Sequence, residues 1–286
     1  AARPHRAHLS ARQRLSATRV SHRHDETRAV EELLFAGDMA VEGRLWDSSN
    51  SAMRVECTGG DARVQAVYKP RRGERPLWDF PTGTLGRREV ATYVVDRALG
   101  WGLVPVTVWR EDAPMGPGSL QAWVDVDSGA SPVDVVEART VPEGWHVVAE
   151  GEGARGDHVC LVHEESSALR RLAVLDAVVN NADRKGGHVL RSGSARVAGI
   201  DHGLTFHEEP KLRTVLWGWA GAPLDDAILH DLQALADAWG SVSESLDTLL
   251  TQSEISATED RLADLLRSRS FPDPDGAWPA LPWPAM

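Results

Sequence analysis

Hydrophobic periodicity changes character along this 286-residue chain, and that change limits the architectures open to it more than any other feature. Period-two alternation runs through Ala40-Val41-Glu42-Gly43-Arg44-Leu45 and Val64-Gln65-Ala66-Val67-Tyr68, the pattern of strands with one buried face. The polar cluster Ser48-Ser49-Asn50-Ser51 follows the first of these. Two further extended runs, Val104 to Trp109 and Ser119 to Asp125, flank a Gly/Pro loop. One helix interrupts the strands: Arg87 to Leu99 places Val90, Tyr93, Val94 and Arg97 on one face, and Gly100 supplies the stop. From Ser166 the spacing is helical, with Leu169, Leu172, Ala173, Leu175, Val178 and Val179, until it breaks at Asp183-Arg184-Lys185-Gly186-Gly187. A hairpin is predicted next, His188 to Arg191 and Arg196 to Ile200, ending in Asp201-His202-Gly203, with helices from about Pro223 to Arg269.

This order predicts an α+β protein in four parts. Residues 1–29, rich in Arg and His and nearly devoid of apolar side chains, read as a disordered basic arm. Residues 30–126 form a small antiparallel-sheet lobe with one key helix, residues 127–270 a larger, mainly helical lobe, and 271–286 a Pro/Trp-rich tail with no functional reading. Residues 127–160 are acidic and poorly periodic, and are expected to be a connection.

Composition narrows the partners. With 31 basic against 42 acidic residues, the net charge of −11 argues against a protein whose affinity comes from neutralising nucleic-acid phosphates. The 2 cysteines, Cys57 and Cys160, lack any CxxC spacing, so neither a disulfide framework nor a structural zinc site is expected and a cytoplasmic location is. No window suggests a transmembrane span or a secretory signal. Nearly all the positive charge is Arg; Lys69, Lys185 and Lys211 are the only lysines.

Those scarce lysines stand beside the residues that carry chemistry. The chain offers a lysine on a strand (Lys69), a glutamate opening a helix (Glu89) and two aspartates bracketing a hairpin (Asp183, Asp201). Phosphoryl transfer needs these parts in this order. A lysine neutralises phosphate charge, a glutamate holds the lysine, one aspartate orients or deprotonates the acceptor hydroxyl, and the other holds a divalent cation. Each has a plain structural alternative: Lys69 before Pro70 as a strand-end charge, Glu89 as a helix-dipole partner, the aspartates as ordinary turn residues. A carboxylate pair also serves general acid-base hydrolysis, though that leaves Lys69 unexplained.

The segments VYKP, RREVATYVVDRALGW, QAWVDV, NNADRKGGH and IDHG resemble a bacterial kinase-like family distantly related to phosphatidylinositol 3-/4-kinase catalytic domains and HipA-like kinases. RGERPLWDFPTGTL and KLRTVLWGWAG resemble its narrower actinobacterial branch, and the resemblance spans roughly Gly37 to Gly221. It implies a two-lobed protein-kinase-like fold, with ATP and Mg²⁺ or Mn²⁺ as cofactors. Residue by residue, it implies Lys69 on phosphate with Glu89 as its ion-pair partner, and Asp47-Ser48-Ser49-Asn50 in place of a Gly-rich loop. It puts Gln121 to Val124 at the hinge, where backbone groups meet adenine and Trp123 borders the pocket. Asp183 becomes the acceptor-orienting base, with Lys185 on the transferring phosphate, and Asp201 the metal-bridging aspartate, with Gly203 permitting the turn. His188 occupies a position where the family has an Asn ligand, which shifts the expectation toward Mn²⁺ or another transition metal.

The leading expectation is therefore a kinase acting on a hydroxyl of an unknown acceptor, protein or small molecule rather than lipid, because no amphipathic membrane helix or Lys-rich surface run is present. The alternatives are a nucleotide-binding pseudokinase, an AMP transferase, and a metal-dependent phosphohydrolase built on Asp183, His188, Asp201, His202 and His207. The loop Phe206 to Gly221 either reads the acceptor through Lys211, Arg213, Trp217 and Trp219 or is a packed segment. The run Arg71 to Pro81 either covers the acceptor site or braces the fold.

Overall fold

The computed structural model describes residues 25–45, 51–127, 129, 131–193, 196–274, 276 and 278–286. Asp47, Ser48, Ser49 and Asn50, proposed as the phosphate-cradling loop, lie outside the described residues, as does the arm before residue 25.

The upper lobe is a five-stranded antiparallel sheet of order β1-β2-β3-β5-β4, from β1 (Asp38–Arg44), β2 (Met53–Gly59), β3 (Ala62–Pro70), β4 (Thr107–Arg110) and β5 (Gly118–Ala122). Its apolar face centres on Val55, Cys57, Ala66, Tyr68 and Leu120. Helix α1, residues 25–36, covers that core with Leu34, and its Glu31 accepts the Tyr93 hydroxyl proton (2.6 Å). Residues 25–29 therefore belong to the folded lobe, not to the basic arm; Val30, Leu33 and Leu34 supply an apolar stripe that starts as the arm's composition ends.

Helix α2 (Leu85–Leu99) begins two residues before the predicted start and ends in Gly100, whose φ of 69° gives the left-handed cap. The predicted single apolar face understates its burial. It packs on β4 and β5 and also on two helices of the lower lobe, so polar Arg88, Glu89, Thr92 and Asp96 are buried as well.

The lower lobe is built on α3 (Ser167–Val178), α4 (Asp226–Asp237), α5 (Trp239–Leu246) and α6 (Gln252–Ser268). Leu169, Leu172, Leu175, Leu232, Leu235 and Leu246 form one continuous core with the buried side of α2. Ser166 caps α3 through the Leu169 N–H, and Thr251 with Glu254 forms a capping box on α6. The predicted hairpin is β9 (Val189–Ser192) and β10 (Arg196–Gly199), paired antiparallel.

Residues 127–160 correct the expectation of a shapeless connection. They supply most of a three-stranded antiparallel sheet, order β6-β8-β7, from β6 (Val133–Glu137), β7 (Trp145–Glu152) and β8 (His158–Glu164). A bulge between Val147 and Ala149 breaks the alternation of β7, which is why period two is weak there. The tail is likewise packed: Ala280 accepts from Thr214 N and Trp217 Nε1, and Ala285 from Gly186 N.

Candidate active site

Strand β3 delivers Lys69 to the cleft, and its cross-strand partner on β5 is Ser119. Glu89 projects from the first turns of α2 to the same point. Its Oε1 accepts from Lys69 Nζ at 2.5 Å and its Oε2 from Ser119 Oγ at 3.1 Å. From the lower lobe, Asp201 Oδ1 lies 2.8 Å from Lys69 Nζ. One ammonium thus bridges a carboxylate of each lobe. Burial opposes the charge on Lys69, but Asp201 and Glu89 more than offset it and hold the ammonium well above its ordinary range. Lys69, against the cost of burial, holds Asp201 well below the usual carboxylate range, while burial pushes Glu89 up.

The backbone of Asp201 has φ 57°, a left-handed conformation that is uncommon for a side-chain-bearing residue and is tolerated where surrounding contacts fix it. The left-handed residue of Asp201-His202-Gly203 is therefore the aspartate, a correction to the expectation that Gly203 permits the turn. A Cβ at Gly203 would lie 3.4 Å from the Leu85 side chain, an ordinary van der Waals contact.

His188, at the beginning of the hairpin, faces Asp201, with Nε2 to Oδ2 at 3.3 Å. Its Nδ1 is 3.1 Å from the Asp183 carbonyl, which can only accept, so Nδ1 carries the proton. Burial lowers the ring's pKa to about 4, and the neutral ring presents the Nε2 lone pair to a carboxylate oxygen. Two acceptors at that distance repel unless a cation lies between them. One imidazole and one carboxylate fit a divalent metal, with a bias toward Mn²⁺ and other transition ions over Mg²⁺.

Asp183 occupies the loop after α3. Its backbone N–H donates to Asn181 Oδ1 (3.0 Å), and its carboxylate lies 3.2 Å from Lys185 Nζ. Burial raises its pKa against the pull of Lys185 and Arg213. Lys69, Glu89, Asp183 and Asp201 line one cavity of about 290 Å³, together with Glu74, Arg75 and Leu77 from the segment between β3 and α2. A larger cavity, about 600 Å³, lies between α6, the tail and residues 208–217 and contains none of these four residues.

The two expected hinge residues have side-chain partners of their own. Gln121 spends its amide on Thr107, its partner on β4 (2.9 Å), and Trp123 lies under the Arg54 guanidinium (4.6 Å) with its N–H bonded to Gln65. Neither lines the cavity of Lys69. The loop Phe206 to Gly221 is a packed segment: Lys211 is 2% exposed and ion-paired with Asp79 at 3.0 Å, and Trp219 is buried. The hydrolase cluster does not assemble, because His202 is buried against Arg184 and His207 accepts from the Glu209 N–H.

Sequence reasoning missed the residues that fix this geometry. Arg184, fully buried, forms a bidentate pair with Asp176 of α3 (2.8 and 2.9 Å), donates to the carbonyls of His188 and Ile200, and meets His202 Nε2 at 2.7 Å. It clamps the backbone next to both candidate metal ligands. Asn180 holds the following segment through His207 O, Glu209 O and Lys211 N. Arg88, next to Glu89, pairs with Glu254 of α6 and donates to Thr205 O (2.5 Å), four residues beyond Asp201. The available signal was positional: Arg184 and Arg88 each stand next to a predicted site residue, and Asn180 stands three before Asp183.

No protein-family model matches the chain. It is 46% identical over 272 residues to Protein Rv2133c of Mycobacterium tuberculosis, covering 92% of this chain and 96% of that protein. Among solved structures it resembles the Golgi casein kinase, with a TM-score of 0.54 at 14% identity over 88% of this chain and 81% of that one. A proinflammatory kinase of Helicobacter pylori, CtkA, gives a TM-score of 0.44 at 10% identity over 83% and 94%. At such identities the casein-kinase likeness is one of fold: the chain has a two-lobed, kinase-like α+β architecture.

Proposed function

The chain belongs to the actinobacterial family of Protein Rv2133c and has a kinase-like fold, and on that footing we propose that it is an ATP-dependent phosphotransferase acting on a hydroxyl acceptor. The observation that carries this reading is the single ammonium of Lys69 held between Glu89 and Asp201, with His188 presenting a lone pair to the same aspartate. A carboxylate pair acting in general acid-base hydrolysis leaves the lysine unexplained, whereas phosphoryl transfer from a nucleotide uses it to neutralise phosphate charge.

In this reading Lys69 exchanges its contact with Asp201 for the phosphates of ATP while Glu89 and Ser119 keep it aimed. Asp183 accepts the proton of the acceptor hydroxyl, and its raised pKa suits a base that must also release that proton. Lys185, beside it, neutralises charge on the transferring group. Asp201 and His188 hold the divalent cation, which when bound offsets the charge of the phosphates. Arg75 and Leu77 line the same cavity. The distant tie to phosphatidylinositol and HipA-like kinases rests on the motif residues, and a protein or small-molecule acceptor is favoured over a lipid because the sequence has no Lys-rich run; among the described residues no helix is long and apolar enough to cross a membrane. Two free, buried cysteines agree with a reducing compartment, the cytoplasm.

The test is ATP turnover with Mn²⁺ or Mg²⁺ and product analysis for wild type and Asp183→Asn. ADP formation by wild type, lost in the variant while ATP still binds, is expected. Binding without turnover in either protein assigns a pseudokinase, and release of pyrophosphate with AMP carried onto the acceptor assigns an AMP transferase.

A further inference from the structure

Away from the cleft, three donors of different chemistry meet on one face of the β6-β8-β7 sheet. Cys160 sits in the central strand β8, His158 two residues earlier on the same face, and Glu150 directly opposite Cys160 on β7. The carboxylate oxygen, imidazole nitrogen and thiol sulfur lie within 4.8 Å of one another. We infer that Glu150, His158 and Cys160 form a binding site for a divalent transition metal of the zinc class, independent of the phosphotransferase reading.

The donor set selects the ion. Oxygen-seeking Mg²⁺ and Ca²⁺ gain little from a thiol and an imidazole, whereas Zn²⁺ takes sulfur, nitrogen and carboxylate oxygen together. Bond lengths of about 2.3 Å to sulfur and about 2.0 to 2.2 Å to nitrogen and oxygen place tetrahedral neighbours roughly 3.3 to 3.8 Å apart. The widest separation needs a contraction of about 1.5 Å at most, which ordinary rotamer changes provide on a surface. Glu150 and His158 are free to make them, with side chains 64% and 60% exposed, while the buried thiol of Cys160 is the fixed point. His158 Nε2 and Glu150 Oε2 already converge at 3.0 Å, so the ion takes the place of the proton between them, displaces the Cys160 thiol proton to solvent and leaves a fourth position to water.

The place in the fold gives the ion a structural role. It would cross-link β7 to β8 near their connecting turn, where Gly153 N donates to Asp157 O. The other end of β8 supports the segment after the catalytic loop, through His163 Nε2 on Gly218 N and Glu165 on Trp219 Nε1. An ion bound only by the folded protein raises its thermal stability in proportion to the logarithm of its free concentration.

Titration of the full chain with Co²⁺ in a reducing buffer free of chelators tests the site, because a cobalt-thiolate bond gives a near-ultraviolet charge-transfer band that oxygen and nitrogen ligands do not. A band saturating at one equivalent, bleached by Zn²⁺, absent in Cys160→Ser and retained in Cys57→Ser and Asp201→Ala, is the expected result. Glu150→Gln and His158→Gln, both on exposed side chains, should shift the titration to higher Co²⁺, and they carry the test if Cys160→Ser fails to fold. Absence of the band in wild type, its survival in folded Cys160→Ser, or an unchanged titration in both exposed variants would overturn the site.

Discussion

Lys69 and Asp201 come from strands and loops 132 residues apart, yet they meet at 2.8 Å, and the chemistry of the cleft turns on that contact. The residue types were legible from their order along the chain, because a scarce lysine, a glutamate and two aspartates point to phosphate handling. Their partners were less so. A buried arginine reads like any surface arginine in a sequence, so Arg88 and Arg184 went unnoticed although each is almost fully enclosed. Gln121, placed at the hinge for its backbone groups, has its side-chain amide taken by a cross-strand threonine. In the proposed site His188 bears on the choice of metal. Replacing it by Asn removes an imidazole and supplies an oxygen at the same backbone position, so His188→Asn should raise Mg²⁺-supported nucleotide binding relative to Mn²⁺. An unchanged ratio of the two affinities, measured by titration with each metal, would show that His188 is not a ligand.

Helix α2 is the element through which the two lobes share one core. Arg88 ties it to α6 through Glu254, and leaving either charge buried and unpaired costs about 3–5 kcal/mol. Its ends were nearly right from sequence because caps are local; its burial on two sides was not, since apolar periodicity reports only one face. The β6-β8-β7 sheet was missed because a bulge and exposed edge strands dilute the alternation on which strand recognition depends. That sheet carries a pH-sensitive joint. His163 is buried, its Nε2 accepts the Gly218 N–H, and burial lowers its pKa to about 4. The unfolded chain binds the proton more tightly, near pH 6.5, so the stability from the neutral ring is complete above about 6.5 and is lost as pH falls toward 4. Asp96, pushed up to about 6 by burial, acts in the opposite sense, gaining a proton in the folded state first. The informative quantity is therefore a difference. Between pH 7 and 5 the melting temperature of wild type should fall more than that of His163→Gln, and parallel curves would refute the assignment.

At the scale of the whole molecule, the lobes are joined by more than a hinge. The Asp79–Lys211 pair links the segment between β3 and α2 to the segment after the catalytic loop, and Trp78 and Trp278 flank the ammonium at 4.7 and 4.2 Å. The sequence left open whether residues 71–81 cover a site or brace the fold. Asp79 braces the segment through Lys211, while Arg75 and Leu77 line the cavity of Lys69. Asp79→Asn should leave Lys211 buried without a counter-charge, lower the melting temperature and speed amide exchange across 71–84; exchange unchanged there would mean the pair holds nothing. The two-lobed division was readable because strands precede helices, whereas the packed tail was not, since Pro- and Trp-rich composition resembles an unstructured end and its contacts are distant in sequence.

The central claim is a metal-nucleotide site that spans both lobes, built on Lys69 above and Asp201 below. Calorimetric titration with ATP, with and without Mn²⁺ and Mg²⁺, on wild type, Lys69→Ala and Asp201→Ala tests it most directly. Metal-dependent binding by wild type, lost or strongly weakened in both folded variants, is the predicted result. Failure of wild type to bind ATP under any metal condition, or binding that survives both substitutions, would contradict it.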